Sequence, residues 1–259
     1  MKKYVFLLLV SISFFTSCKT PKDIAYLQDL QVGSSVTTQK DGVIRFQPGD
    51  KLSIFVHSRD EQMRSLFNLG GGHTMVSTSA NASASYTVDI NGDIDFPVLG
   101  LIKIAGKSRT EVERYIKNEL QTQNLCKDAV VIVQFYQMYF SVLGNFGGSG
   151  SHPITRDKTT ILEAISQSGD LGILGKRKNI LVLRQEGSQQ KPYWIDLTDS
   201  KSIYNSPVYY IKQNDIVYVE PNDMAKRSST VMGSQAFTPS FWMSMFSFLT
   251  SAALLIIKL

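Results

Sequence analysis

Apolar residues in this chain alternate with polar ones over short runs, and at two places the period lengthens to that of a helix. The first alternating run pairs Ile44 with Phe46, then Leu52, Ile54 and Val56, around Pro48-Gly49-Asp50. That pattern predicts two short strands joined by a tight turn. A polar insertion over residues 60–85 holds Gly70-Gly71-Gly72 and STSANASAS and reads as a flexible loop. Val88 and Ile90, then Ile94 and Phe96, flank Asn91-Gly92, a strong hairpin signal. Thr110 and Glu113 have capping-box spacing, and Val112, Ile116 and Leu120 form an apolar helical stripe. The β-branched and aromatic run at 129–144 suits one long strand or two broken ones.

A second unit follows. Gly144, Gly147, Gly148 and Gly150 stand between apolar segments. Thr160 and Glu163 form another capping box, opening a helix through Ile161, Leu162 and Ile165 that stops at Gly169. Strands are predicted at 179–185, 192–197 and 216–219, the last after an Asn214-Asp215 turn. Strands with segregated helices in two small units predict an α+β fold.

Both ends of the chain are apolar. Residues 1–17 form a secretory signal, with Lys2 and Lys3 ahead of an apolar core too short for a good membrane span. Thr16-Ser17 then leads to Cys18 in the manner of a bacterial lipobox, which implies lipidation of Cys18. No Asp follows Cys18, which favours the outer membrane over the inner. Residues 18–43 read as an irregular tether and 223–237 as a linker. Between Phe241 and Ile257 no side chain is charged, so 238–259 is expected to be a transmembrane helix. Its 19 residues from Pro239 to Ile257 would span roughly 28 Å. Ser240, Ser244, Ser247 and Ser251 step by four, three and four along one face. A plain anchor has no need of that stripe, whereas a helix that meets its copies or lines a wet lumen uses one.

Charge and candidate chemistry narrow the function. The chain carries 27 basic and 22 acidic residues. Loss of Lys2 and Lys3 with the signal leaves a bias too weak to argue for nucleic acid. With Cys18 acylated, Cys126 has no disulfide partner and reads as a small buried residue. The triple glycine lacks the Lys-Ser or Lys-Thr of a phosphate loop. Asp89, Asn91, Asp93 and Asp95 do not fit an EF-hand, whose glycine and glutamate positions are filled otherwise. His57, His73 and His152 have no metal-ligand spacing. No catalytic constellation, metal site or cofactor site is legible, so the chain is not expected to be an enzyme.

The ordered segments resemble the outer-membrane polysaccharide export family, the Wza-like proteins. RFQPGDKLSIFV at 45–56 resembles its opening motif, with the turn Pro48, Gly49, Asp50. VDINGDIDFPVLGLIKIAGKSRTEVERYIKNEL at 88–120 resembles its next block, with Asn91, Gly92, Phe96-Pro97 and Gly100 in place. Residues 140–170, with Gly144 and Gly150, and NDIVYVEPN at 214–222 are similar to the start and end of its ligand-binding β-grasp (SLBB) domain. Ser149-Gly150 stands where the family usually has Pro-Gly, and Asn214-Asp215 where it has Gly-Asp. The resemblance implies a polysaccharide export domain at 44–136, one β-grasp domain at 137–222 and a membrane helix at 238–259. It further implies an outer-membrane lipoprotein of a Gram-negative bacterium. Its copies would form a ring, octameric by resemblance, exporting capsular or extracellular polysaccharide with an inner-membrane polysaccharide co-polymerase as partner. In such a ring the stripe Ser240, Ser244, Ser247 and Ser251 would face a hydrated lumen, with lipid outside. The alternative is an anchored glycan-binding or scaffold lipoprotein that forms no pore.

Overall fold

A computed structural model describes residues 24–39, 42–68, 85–230 and 238–258. Among the described residues, β1 (Lys51–His57) is the centre of a three-stranded antiparallel sheet, flanked by β2 (Ser85–Thr87) and β5 (Val130–Phe135). Leu52, Ile54 and Val56 are fully buried, as their alternation predicts. Ile44 and Phe46 are buried too, but their segment is extended chain with one bridge from Arg45 to Ser108 rather than a strand.

Three expectations for this unit are corrected. The polar insertion opens with a helix, α1 (Glu61–Asn68); residues 69–84 lie outside the described part. Its anchor is Phe67, fully buried and stacked on Phe96 at 6.2 Å between ring centroids. Asn91-Gly92 does turn the chain, but not as a hairpin between two paired strands: β2 and β3 (Asp93–Phe96) lie in different sheets. The Asp89 carboxylate accepts from the Asn91 and Asp93 amides, which closes the turn and leaves Ile90 89% exposed. The hairpin lies one step on, joining β3 to β4 (Gly100–Lys103) through Pro97-Val98-Leu99. The capping box of α2 (Arg109–Thr122) is Ser108 with Glu111, two residues before the expected pair. Val112, Ile116 and Leu120 nevertheless face inward and are fully buried.

The run at 129–144 resolves into two strands, β5 and β6 (Tyr139–Gly144), broken where Gln137 takes a positive φ of 51°. The second unit is a five-stranded sheet in the order β7-β6-β10-β8-β9. It comprises β7 (Gly150–Pro153), β8 (Ile180–Glu186), β9 (Gln189–Ile195) and β10 (Ile216–Val219) with β6. Only β6 and β10 run parallel; the other neighbours are antiparallel. The helix α3 (Ile161–Gln167) carries the expected Thr160–Glu163 capping box, and the chain turns away at Gly169 with φ 76°. Two short helices, α4 (Ser200–Tyr204) and α5 (Asp223–Ser228), are additions to the sequence reading.

Buried side chains of both units form one hydrophobic cluster. An ion pair fastens the units at its rim: Arg109 Nε and Nη2 donate to the two oxygens of Asp157, each at 2.7 Å. The tether is not free. The Leu27 and Gln28 amides donate to the Leu197 and Thr198 carbonyls at 2.9 and 2.8 Å. Asp29 accepts from the Ser200 amide and hydroxyl, and the Tyr26 hydroxyl donates to Asp170. Residues 26–29 therefore act as a strap on the second unit.

The terminal helix α6 (Pro239–Lys258) forms as expected over 20 residues. Among the described residues, however, no helix is long and apolar enough to cross a membrane, so the span expected at 238–259 is not supported there.

Candidate functional site

The Pro48-Gly49-Asp50 turn is built so that its carboxylate faces inward. Gly49 sits at φ 91°, a left-handed conformation that glycine adopts without cost. Asp50 Oδ2 accepts from the Gln47 amide at 2.9 Å, and the Asp50 amide donates to the Gln47 carbonyl. Burial raises the Asp50 carboxyl to about 6, against the opposing hydrogen bond from Gln47. The Gly49 and Asp50 backbones also bond Val88, tying the turn to the residue after β2.

This turn lines one wall of a cleft of about 710 Å³ between the two units. Arg45 closes that wall, donating to the Gly106 carbonyl and to Glu111, each at 2.8 Å. The Ser108 amide, more than Arg45, holds the Glu111 carboxyl below the usual range. The opposite wall comes from the end of β8 and the Lys212-Gln213-Asn214 turn. It is fixed by Arg184, which binds both oxygens of Asp215 at 3.0 and 2.6 Å and the Pro207 and Tyr210 carbonyls. Gln213 Oε1 is buried without a hydrogen-bond partner. Carboxamides and one lysine edging a partly apolar cleft can hold polar ligands; nothing there activates a nucleophile.

The fold thus brings Pro48 and Asp50 opposite Asn214, and sets Asn91-Gly92 behind the same wall. The Ile104 and Ala105 amides both donate to the Gly92 carbonyl, and Gly92 itself has no room for a Cβ beside Ala105. Gly144 and Gly150 lie away from the cleft, at the β6–β7 end of the second sheet. Gly144 has φ 97° and packs on the Val219 carbonyl, where a Cβ would collide; Gly150 has φ 136° with open space around it. Ser240, Ser244, Ser247 and Ser251 are all exposed on α6. Cys18 lies outside the described residues. Sequence reasoning missed Arg184 and Gln213. The signal for Arg184 was present: a charge at an inward position of an alternating strand.

Residues 38–135 match the family model described as polysaccharide biosynthesis/export protein. Two relatives are named EPS I polysaccharide export outer membrane protein EpsA. The one from Ralstonia solanacearum is 27% identical over 189 residues, 70% of this chain and 49% of the relative. The one from Ralstonia nicotianae is 28% identical over 151 residues, 56% of this chain and 39% of the relative. This chain therefore spans about half the length, or less, of these relatives. The matched stretch includes the motifs at 45–56 and 88–120.

Proposed function

We propose that the chain is a subunit of an outer-membrane conduit for capsular or extracellular polysaccharide and has no enzymatic role. The observation that carries this reading is the match of residues 38–135 to the model of the polysaccharide biosynthesis/export proteins, together with relatives named as export proteins of the outer membrane. The second unit is read as the single β-grasp domain of the family. Cys18 is read as the lipid anchor, the exported polysaccharide as the substrate, and an inner-membrane co-polymerase as the partner that hands it over.

Assembly is the step that gives α6 a role. Its exposed face includes Trp242, Phe246, Phe248 and Leu249, at 55%, 66%, 74% and 56% exposure. A helix with hydroxyls along one face and large apolar groups elsewhere is poorly suited to sit alone in lipid. It suits a ring of copies, in which Ser240, Ser244, Ser247 and Ser251 turn to a wet lumen and the aromatic groups to lipid.

The test is the mass of the detergent-extracted mature protein, with and without residues 238–259. A closed oligomer whose assembly or membrane insertion is lost on deletion supports the conduit. A monomer lipidated at Cys18 supports instead the anchored glycan-binding lipoprotein.

A further inference from the structure

Among the described residues, one face of the second sheet is buried and the other is partly exposed. Val142, Val182, Val217 and Val219 point inward and are buried. On the other face the register aligns Leu143 with Tyr218, Tyr218 with Leu181 and Leu181 with Trp194, one row across β6, β10, β8 and β9. The next row aligns Ser141, Ile216, Leu183 and Pro192. Leu143 and Trp194 are 49% and 59% exposed and the others in these rows that are hydrophobic are partly so. No side chain in the two rows is charged. The open face of a sheet normally carries polar residues. A contiguous apolar area on such a face marks an interaction surface.

The same chain carries a projecting apolar element on its other unit. The tip of the β3–β4 hairpin reads Pro97-Val98-Leu99-Gly100-Leu101, with Val98 and Leu101 at 52% and 72% exposure. Val98 is held at φ 69°, a left-handed conformation that a β-branched residue adopts only at a cost. Strain of this kind persists where a local shape is needed. Addition of a strand at the sheet edges is opposed by Pro153 at the end of β7 and Lys191-Pro192 in β9. Of this sheet's surfaces, the face is therefore the better one for association.

We propose that the β3–β4 tip of one copy docks on the open face of the second sheet of a neighbouring copy, with Val98 and Leu101 against the Leu143–Tyr218–Leu181–Trp194 row. This rests on the oligomeric reading above and names the surfaces it would use. The contact joins two different patches, so repetition carries it round a ring instead of ending at a dimer. Val98 and Leu101 are then the anchors within a wider contact, since a stable interface buries more than about 1,000 Å².

Two measurements decide it. The first is native mass of the full mature chain in detergent for the wild type, Val98→Asp/Leu101→Asp and Trp194→Glu, with circular dichroism to show each folded. Both variants are expected to fall from the wild-type oligomer to monomers. The second co-expresses a Val98→Cys chain with a Trp194→Cys chain, each also Cys126→Ser. A disulfide-linked heterodimer is expected on oxidation, and neither chain alone should give it. An oligomeric wild type whose variants keep their mass, with no cross-link, overturns the docking and leaves the conduit standing. A monomeric wild type overturns both.

Discussion

Replacing Arg184 with methionine tests how far the cleft wall of the second unit hangs on one buried charge pair. The guanidinium spends four hydrogen bonds there, two on Asp215 and one each on the Pro207 and Tyr210 carbonyls. The two side chains are 6% and 1% exposed, so water cannot replace what is removed. Asp215 would keep one bond, from the Lys212 amide at 2.8 Å, and a buried charge without its counter-ion. Removing one partner of such a pair costs about 3–5 kcal/mol. At roughly 2–4 °C per kcal/mol for a chain of this size, the unfolding midpoint falls by about 6–20 °C. The assay is thermal unfolding of the full mature chain in detergent, followed by circular dichroism. The double variant Arg184→Met/Asp215→Asn removes the stranded charge and should recover about half of the loss, leaving only the two carbonyls short of donors. A single variant that loses less than about 1 kcal/mol, or a double variant no better than the single, refutes the reasoning.

The Asp50 carboxyl, raised by burial from 3.8 to about 6, binds its proton more tightly in the folded chain than in the unfolded one. Stability should therefore fall as pH rises from about 4 to about 6 and stay lower above that window. Asp50→Asn should flatten this dependence, and an unchanged slope of midpoint against pH would sink the assignment. Phe67→Ala should cost about 3–5 kcal/mol in denaturant unfolding, because its ring is fully buried against Phe96. A loss within a few tenths would mean that α1 does not pack as described. Ser108→Ala should cost about 1 kcal/mol and Thr110→Ala almost nothing, since Ser108 is the residue that caps α2; the reverse order would restore the cap read from sequence.

What sequence could reveal depended on the distance over which each feature is decided. Strands around Leu52, Ile54 and Val56 were legible because alternation is local and one face is buried. The cap at Thr160 was legible for the same reason. At α2 two overlapping signatures fit, Ser108 with Glu111 and Thr110 with Glu113, and only the entry angle of the chain selects the first. The helix α1 was hidden because EQMRSLFN has a single buried residue, whose partner Phe96 is supplied from another strand. The strap was hidden because Asp29 finds Ser200 across 171 residues. The cleft was half legible: the Pro48-Gly49-Asp50 and Asn214-Asp215 turns stood out singly, but only folding sets them face to face.

The strap also acts as a ruler. Tyr26 is gripped by Asp170, and eight residue steps separate it from Cys18. Fully stretched, eight steps reach about 29 Å, close to the thickness of the hydrocarbon layer itself. Were Cys18 acylated as proposed, the second unit would be moored to the bilayer on a line that short for as long as the strap stays docked. The leash length would then fix the altitude at which any partner meets this chain.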